Sequence, residues 1–176
     1  PPKMRAEMEE VEQIYGERDD VLLQVHIGGA TPRWDLYQPA RERFLEVCSG
    51  FGCAEWLLQK GLQLGYRPAV CGASDLHLGL MGGPRAVETF RGRFGPKYPM
   101  KQRDSAYGTG PVTAVIASEL TRDALWNSIE ARTTYATSGS RILLTVTGNG
   151  VPAGSDIDLK DKLEIAIRCH ACEEIE

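Results

Sequence analysis

The sequence predicts an α/β fold with parallel strands, followed by the start of a small antiparallel β-module. Three observations lead there. Strand-like apolar runs and helical stripes alternate through the first 73 residues, the pattern of parallel α/β architecture. The first run, VLLQVHI at 21–27, is apolar almost throughout, as when a strand is buried on both faces. Near the C-terminus the pattern changes: Leu163, Ile165 and Ile167 alternate with Glu164, Ala166 and Arg168, the half-buried style of an antiparallel strand.

The elements follow in order. Met4, Met8, Val11 and Tyr15 recur at helical spacing and predict a helix over 3–18, with glutamates on its solvated side. The strand at 21–27 closes on Gly28-Gly29. A second strand is expected at 43–48, a helix at 54–64 stopped by Gly65, and a third strand at 67–73 with Pro68 tolerated at its start. Residues 79–111 are rich in Gly, Pro and Arg and lack periodicity, which reads as one long loop. Residues 112–117 form a short strand or turn. Thr121 is placed to cap a helix over 122–132, with Leu125 and Ile129 on one face. Strands at 141–147 and 162–169 flank a Gly-rich turn region. Two strands alone are marginal, so this module, 141–176, looks incomplete beside a first unit spanning 1–140.

The chain has 176 residues, enough for one domain and its core but short for a complete (β/α) barrel, which takes roughly 250. No apolar run reaches the roughly 20 residues of a membrane-spanning helix. A net charge of -4 argues against general nucleic-acid binding. Five cysteines, an odd number, do not make a small secreted disulfide framework and are expected mostly as free thiols. That favours a reducing, cytoplasmic setting, with a periplasmic or secreted one open if sequence precedes Pro1.

Only three histidines are present, and two fall where parallel α/β folds bind ligands, beyond the C-terminal ends of strands. His26 ends the first strand. Asp75 and His77, in S-D-L-H, directly follow the third. A D-x-H pair in extended backbone points both side chains to one side, where carboxylate and imidazole can share a divalent metal or bind adjacent ones. The plainer reading of His26 alone is a satisfied polar residue at a strand end.

These residues carry a resemblance. RPAVCGASDLHLGLMGGPRAVE resembles the G-x-S-D-x-H…G signature of the PHP-like, metal-dependent phosphoesterase superfamily. ALWNSIEARTTYATSGSRILLTVTGNGVPAGS is similar to a long block of the DUF3604 branch of that superfamily, and FLEVCSGFGCAEW to one of the branch's strands. The resemblance implies a partial (β/α)7-like PHP barrel, with divalent metal ions (Zn, Mn or Fe) held at the C-terminal ends of its strands. Asp75 and His77 match the family's final metal-binding motif and become the catalytic pair. His26 matches a later single histidine. Glu46, in the following strand, is a direct ligand, a group behind one, or a residue turned across the sheet. The family's early H-x-H has no counterpart here, which implies a fragment of a longer barrel or a reduced protein.

The implied reaction is hydrolysis of a small-molecule phosphoester, with Arg85, Arg132 and Arg141 as candidates for holding phosphate oxygens; for each, a structural salt bridge is the plainer reading. Tyr135 either packs under the site or touches substrate. Open sheet edges in a partial barrel favour a homo-oligomer. The rival expectation is a catalytically incomplete assembly or ligand-binding module with a vestigial metal site. Cys169-His170-Ala171-Cys172 lacks the second ligand pair of a zinc site.

Overall fold

The computed structural model describes residues 10–11, 13–26, 34–49, 52–73, 111–159 and 161–171, and the backbone of 90–92 and 95–97. The elements are β1 (Leu23–Val25), a 3-10 turn at Trp34–Leu36, β2 (Glu42–Ser49), β3 (Gly52–Cys53), α1 (Glu55–Gln63), β4 (Ala69–Ala73), β5 (Phe90–Gly92), β6 (Gly95–Lys97), β7 (Val112–Val115), α2 (Arg122–Glu130), β8 (Thr134–Thr137), β9 (Leu143–Gly148), β10 (Val151–Pro152) and β11 (Ile165–His170). Residues 10–11 and 13–15 are helical and form the described part of the helix expected over 3–18.

The expected parallel unit is present. β2 pairs in parallel with both β1 and β4, and in antiparallel with β3. β4 lies along residues 44–49 of β2, so β1 (beside 42–45) and β3 (beside 48–49) must share the opposite edge. β3 therefore continues that edge beyond the end of β1. Val25, Leu45, Val47, Ala54 and Leu57 make the buried cluster, with Trp34, Tyr37 and Leu58 against it. Leu45 and Leu57 are fully buried; full burial of such a side chain contributes about 2 kcal/mol.

Local chemistry sets the ends of the helices. α1 is followed by Gly65 at φ +84, whose N–H donates to the carbonyl of Leu62, so the glycine stops the helix as its left-handed residue. Within α1, Gly61 leaves room for Trp34: an added Cβ would meet the indole at 3.2 Å. Thr121 caps α2, its hydroxyl accepting from the Ala124 N–H at 3.3 Å. The helix ends at Glu130 rather than 132, because Arg132 takes a left-handed conformation with φ 60.

Two expectations for the middle of the chain change. The 79–111 stretch contains a hairpin, β5 with β6. Thr134–Thr137, for which no element was expected, forms strand β8, paired with β7. Threonine hydroxyls then serve the free edge of β4. Thr113 both accepts from the Gly72 N–H and donates to the Gly72 carbonyl, and Thr134 donates to the Val70 carbonyl at 2.7 Å. Buried backbone groups need such partners, and short hydroxyls can supply them where no ladder runs.

The described strands form separate small sheets and do not close into a barrel. The C-terminal sheet has three strands, order β10-β9-β11. Its expected half-buried alternation is corrected: every residue of β11 is exposed, Ile165 at 59% and Ile167 at 64%. The alternation does create an apolar side, but no described residue buries it.

This sheet is tied to the first unit. The Tyr135 hydroxyl donates to the Ile142 carbonyl and accepts from the Leu144 N–H. Arg132 Nε donates to the Gly154 carbonyl at 2.7 Å, while Arg132 and Arg67 both pair with Asp156, at 3.2 and 2.6 Å. Partial desolvation pushes the Asp156 carboxyl up, but the guanidiniums of Arg132 and Arg67 outweigh it and hold the group below its ordinary value. A depressed folded-state value gives stability that is complete above the ordinary carboxylate range and lost as pH falls through the depressed one. The gap in Tm between the protein and Asp156→Asn should therefore be open at about pH 6 and narrow as the pH falls below the ordinary carboxylate range. An unchanged gap would mean that the ion pairs contribute nothing, as exposed pairs often do.

Candidate functional site

The parallel register builds one polar pair directly. Val25 of β1 stands beside Leu45 of β2, both in the buried cluster. The next residues along, His26 and Glu46, therefore stand side by side on the opposite face. His26 Nδ1 is hydrogen-bonded to Glu46 Oε2. The Glu46 side chain is fully buried while that of His26 is 48% exposed. A carboxylate removed from water requires partners, and the imidazole is one of them. A neutral imidazole that donates from Nδ1 to a carboxylate keeps its Nε2 lone pair for a ligand, the usual arrangement of a metal-binding histidine.

Glu46 also lies beside Cys71 of β4. Burial first, and then the Glu46 charge, push the Cys71 thiol up to about 12. Cys71 is thus kept protonated next to the carboxylate. On the same strand as Glu46, Cys48 faces Cys53 of β3 with the sulfurs 2.6 Å apart. The hydrogen bond to Cys53 and burial raise the Cys48 thiol.

The other expected site residues are placed as follows. Asp75, His77 and Arg85 lie outside the described residues. Asp75 comes two residues after the end of β4 at Ala73. His26 is level with Glu46 and Cys71.

Arg132 is engaged with Gly154 and Asp156. It lines an open cleft of about 450 Å³ with Leu58, Leu62, Arg67, Val70 and Asp156. That cleft sits at the start of β4, whereas His26 follows the end of β1. Arg141 is exposed on the segment entering β9. Tyr135 ties β8 to β9 through its hydroxyl. Cys169 is exposed on β11, and Cys172 lies outside the described residues. Among the described residues no group of three or more His, Cys, Asp or Glu is gathered tightly enough to hold a metal ion. Among them, too, no helix is long and apolar enough to cross a membrane.

The sequence reading missed the facing of Cys48 and Cys53. Its signal was the S-G-F-G run between two short β-like stretches, a hairpin pattern. The Arg67–Asp156–Arg132 cluster had no such signal, since its members are far apart in sequence.

Residues 59–167 match the family described as "protein of unknown function (DUF3604)". That is well over half of the chain, which therefore belongs to the DUF3604 family. The matched stretch contains Asp75, His77, Arg85, Arg132 and Arg141, and begins after both His26 and Glu46. No curated protein and no solved structure matches the chain.

Proposed function

We propose that the chain carries part of the site of a metal-dependent hydrolase of the PHP-like phosphoesterase type, acting on a small-molecule phosphoester. The observation that carries this reading is the His26–Glu46 pair, a half-exposed imidazole fixed by a fully buried carboxylate at a strand end. The donor set fits a divalent metal. His26 would bind through Nε2, Glu46 would orient it from behind, and Asp75 and His77 would bind from the segment after β4. A divalent ion (Zn, Mn or Fe), when bound, would polarise a phosphoryl oxygen and lower the pKa of water. Arg85 and Arg141 are the candidates for gripping the remaining phosphate oxygens. Arg132 already uses Nε and one terminal nitrogen on Gly154 and Asp156.

The second reading is a binding module with a reduced metal site. The lack of an early H-x-H in the chain favours it, because a site built without those two histidines is short of ligands.

The experiment is metal analysis of the purified chain, followed by titration with Mn²⁺ or Zn²⁺ and a phosphomonoester and phosphodiester screen. The hydrolase reading expects bound metal, metal-dependent turnover, and loss of both in His26→Ala and in Asp75→Ala. Metal binding that survives one of these substitutions, without turnover, selects the reduced module. Absence of both binding and turnover sinks the metal assignment.

A further inference from the structure

We infer that Cys48 and Cys53 are a reversible thiol–disulfide pair that closes the β2–β3 hairpin. The register is the main ground. Cys48 is directly opposite Cys53 in an antiparallel pair. The neighbouring pair, Val47 with Ala54, is joined by an N–H···O bond from Ala54 to Val47. Antiparallel ladders alternate bonded and non-bonded pairs, so Cys48–Cys53 falls at a non-hydrogen-bonded position. There the Cα atoms approach to about 4.5 Å and the side chains are closest, within the Cα separation that a disulfide spans. The sulfurs are already in contact, at 2.6 Å. The remaining described cysteines are differently placed: Cys71 is buried in β4 and Cys169 is exposed on β11.

The position in the fold gives the pair a consequence. β3 continues the edge of β2 beyond the end of β1, where His26 stands, and it leads straight into the buried Ala54 at the head of α1. A bond between the sulfurs fastens this corner; its reduction leaves the two-residue strand and the Ala54–Val47 hydrogen bond to hold it. The pair does not depend on the metal reading.

The oxidant is a low-molecular-weight disulfide such as oxidised glutathione. One cysteine thiolate attacks it, forms a mixed disulfide and releases one small thiolate. The second cysteine thiolate then attacks the protein sulfur of that mixed disulfide and expels the other. Two electrons pass to the small disulfide, and the two protons end on the released thiols.

The test is incubation of the full chain with oxidised glutathione, followed by alkylation in denaturant and peptide mapping. The expected result is that two of the five thiols become unreactive. The peptide spanning residues 48 and 53 should be lighter by two hydrogens, with dithiothreitol restoring both thiols. Cys48→Ser and Cys53→Ser should each abolish ring closure, leaving at most a stable glutathione adduct on the remaining cysteine. Cys169→Ser should leave closure unchanged. In a separate unfolding experiment, the oxidised protein should melt higher than the reduced protein, and this difference should vanish in Cys53→Ser. The inference is overturned if both thiols stay alkylatable, if the bond joins other cysteines, or if only mixed disulfides accumulate on the unsubstituted protein.

Discussion

Replacing Glu46 by glutamine should weaken Mn²⁺ or Zn²⁺ binding by about 10- to 100-fold, the usual effect of removing the acceptor behind a metal-binding histidine. The argument runs through the tautomer of His26. A carboxylate only accepts hydrogen bonds, so the hydrogen bond to Glu46 Oε2 requires the proton on His26 Nδ1. A glutamine amide can instead donate, which lets the proton move to Nε2 and blocks the outward lone pair. Gln is close to Glu in shape, so the fully buried site should remain filled. Isothermal titration of the two proteins reads the affinity, and their melting curves report folding separately. Because the two residues act as a unit, His26→Ala and the double variant should bind alike, and the Glu46→Gln effect should disappear in the His26→Ala background. Equal metal affinity in Glu46→Gln and the unsubstituted protein would show that Glu46 serves the fold alone.

The parts of the fold that were readable before the structure share a physical feature: each is specified by residues close in sequence. The strand around Val25 is legible in its apolar run, the end of α1 in Gly65, and the start of α2 in Thr121. Strand β8 is not legible in Thr134–Thr137 alone, because four residues are too few for an apolar/polar alternation to declare a buried face. What makes them a strand is pairing with β7 and the Thr134 bond to Val70, 64 residues away. The exposure of Ile165 and Ile167 was unreadable for a related reason. Alternation fixes which side of a strand is apolar, but burial requires a second layer that a local pattern does not contain.

The candidate site divides in the same way. His26 was singled out by its place at a strand end, and its proximity to Glu46 follows once β1 and β2 are known to be parallel and in register. The level of Glu46 relative to Ala73, where β4 ends, depends on the irregularity in β2 between Glu46 and Cys48, which no residue pattern announced. Arg132 was marked as a phosphate-binding candidate because it precedes TYATSG. Its actual partners, Gly154 and Asp156, are brought by the turn after β10. A charge's role is set by what folding delivers to it, and here the nearest delivery is a backbone carbonyl and a carboxylate.

Gly154→Ala should destabilise the protein by about 3 kcal/mol, or roughly 10 °C in Tm. Two costs combine. Gly154 has φ +94, where an alanine is strained. Its added Cβ would also lie 2.4 Å from the Arg132 carbonyl oxygen and 2.7 Å from the carbonyl carbon. Those atoms are backbone, and they cannot yield as a side chain would. Arg132 is itself at φ 60, with its N–H bound to the Ile129 carbonyl, and the following Thr133 N–H is bound to the Ser128 carbonyl. The turn after β10 must therefore move away, taking the Gly154 carbonyl and Asp156 from the Arg132 guanidinium. Gly150→Ala separates the two costs, because Gly150 has a similar φ of +79 but nothing within 4 Å of an added Cβ. That variant should lose only about 1 kcal/mol, the backbone term. Thermal or urea unfolding of the pair measures the difference directly. If the two alanine variants melt together, the close approach of Gly154 to Arg132 does not hold the C-terminal sheet in place.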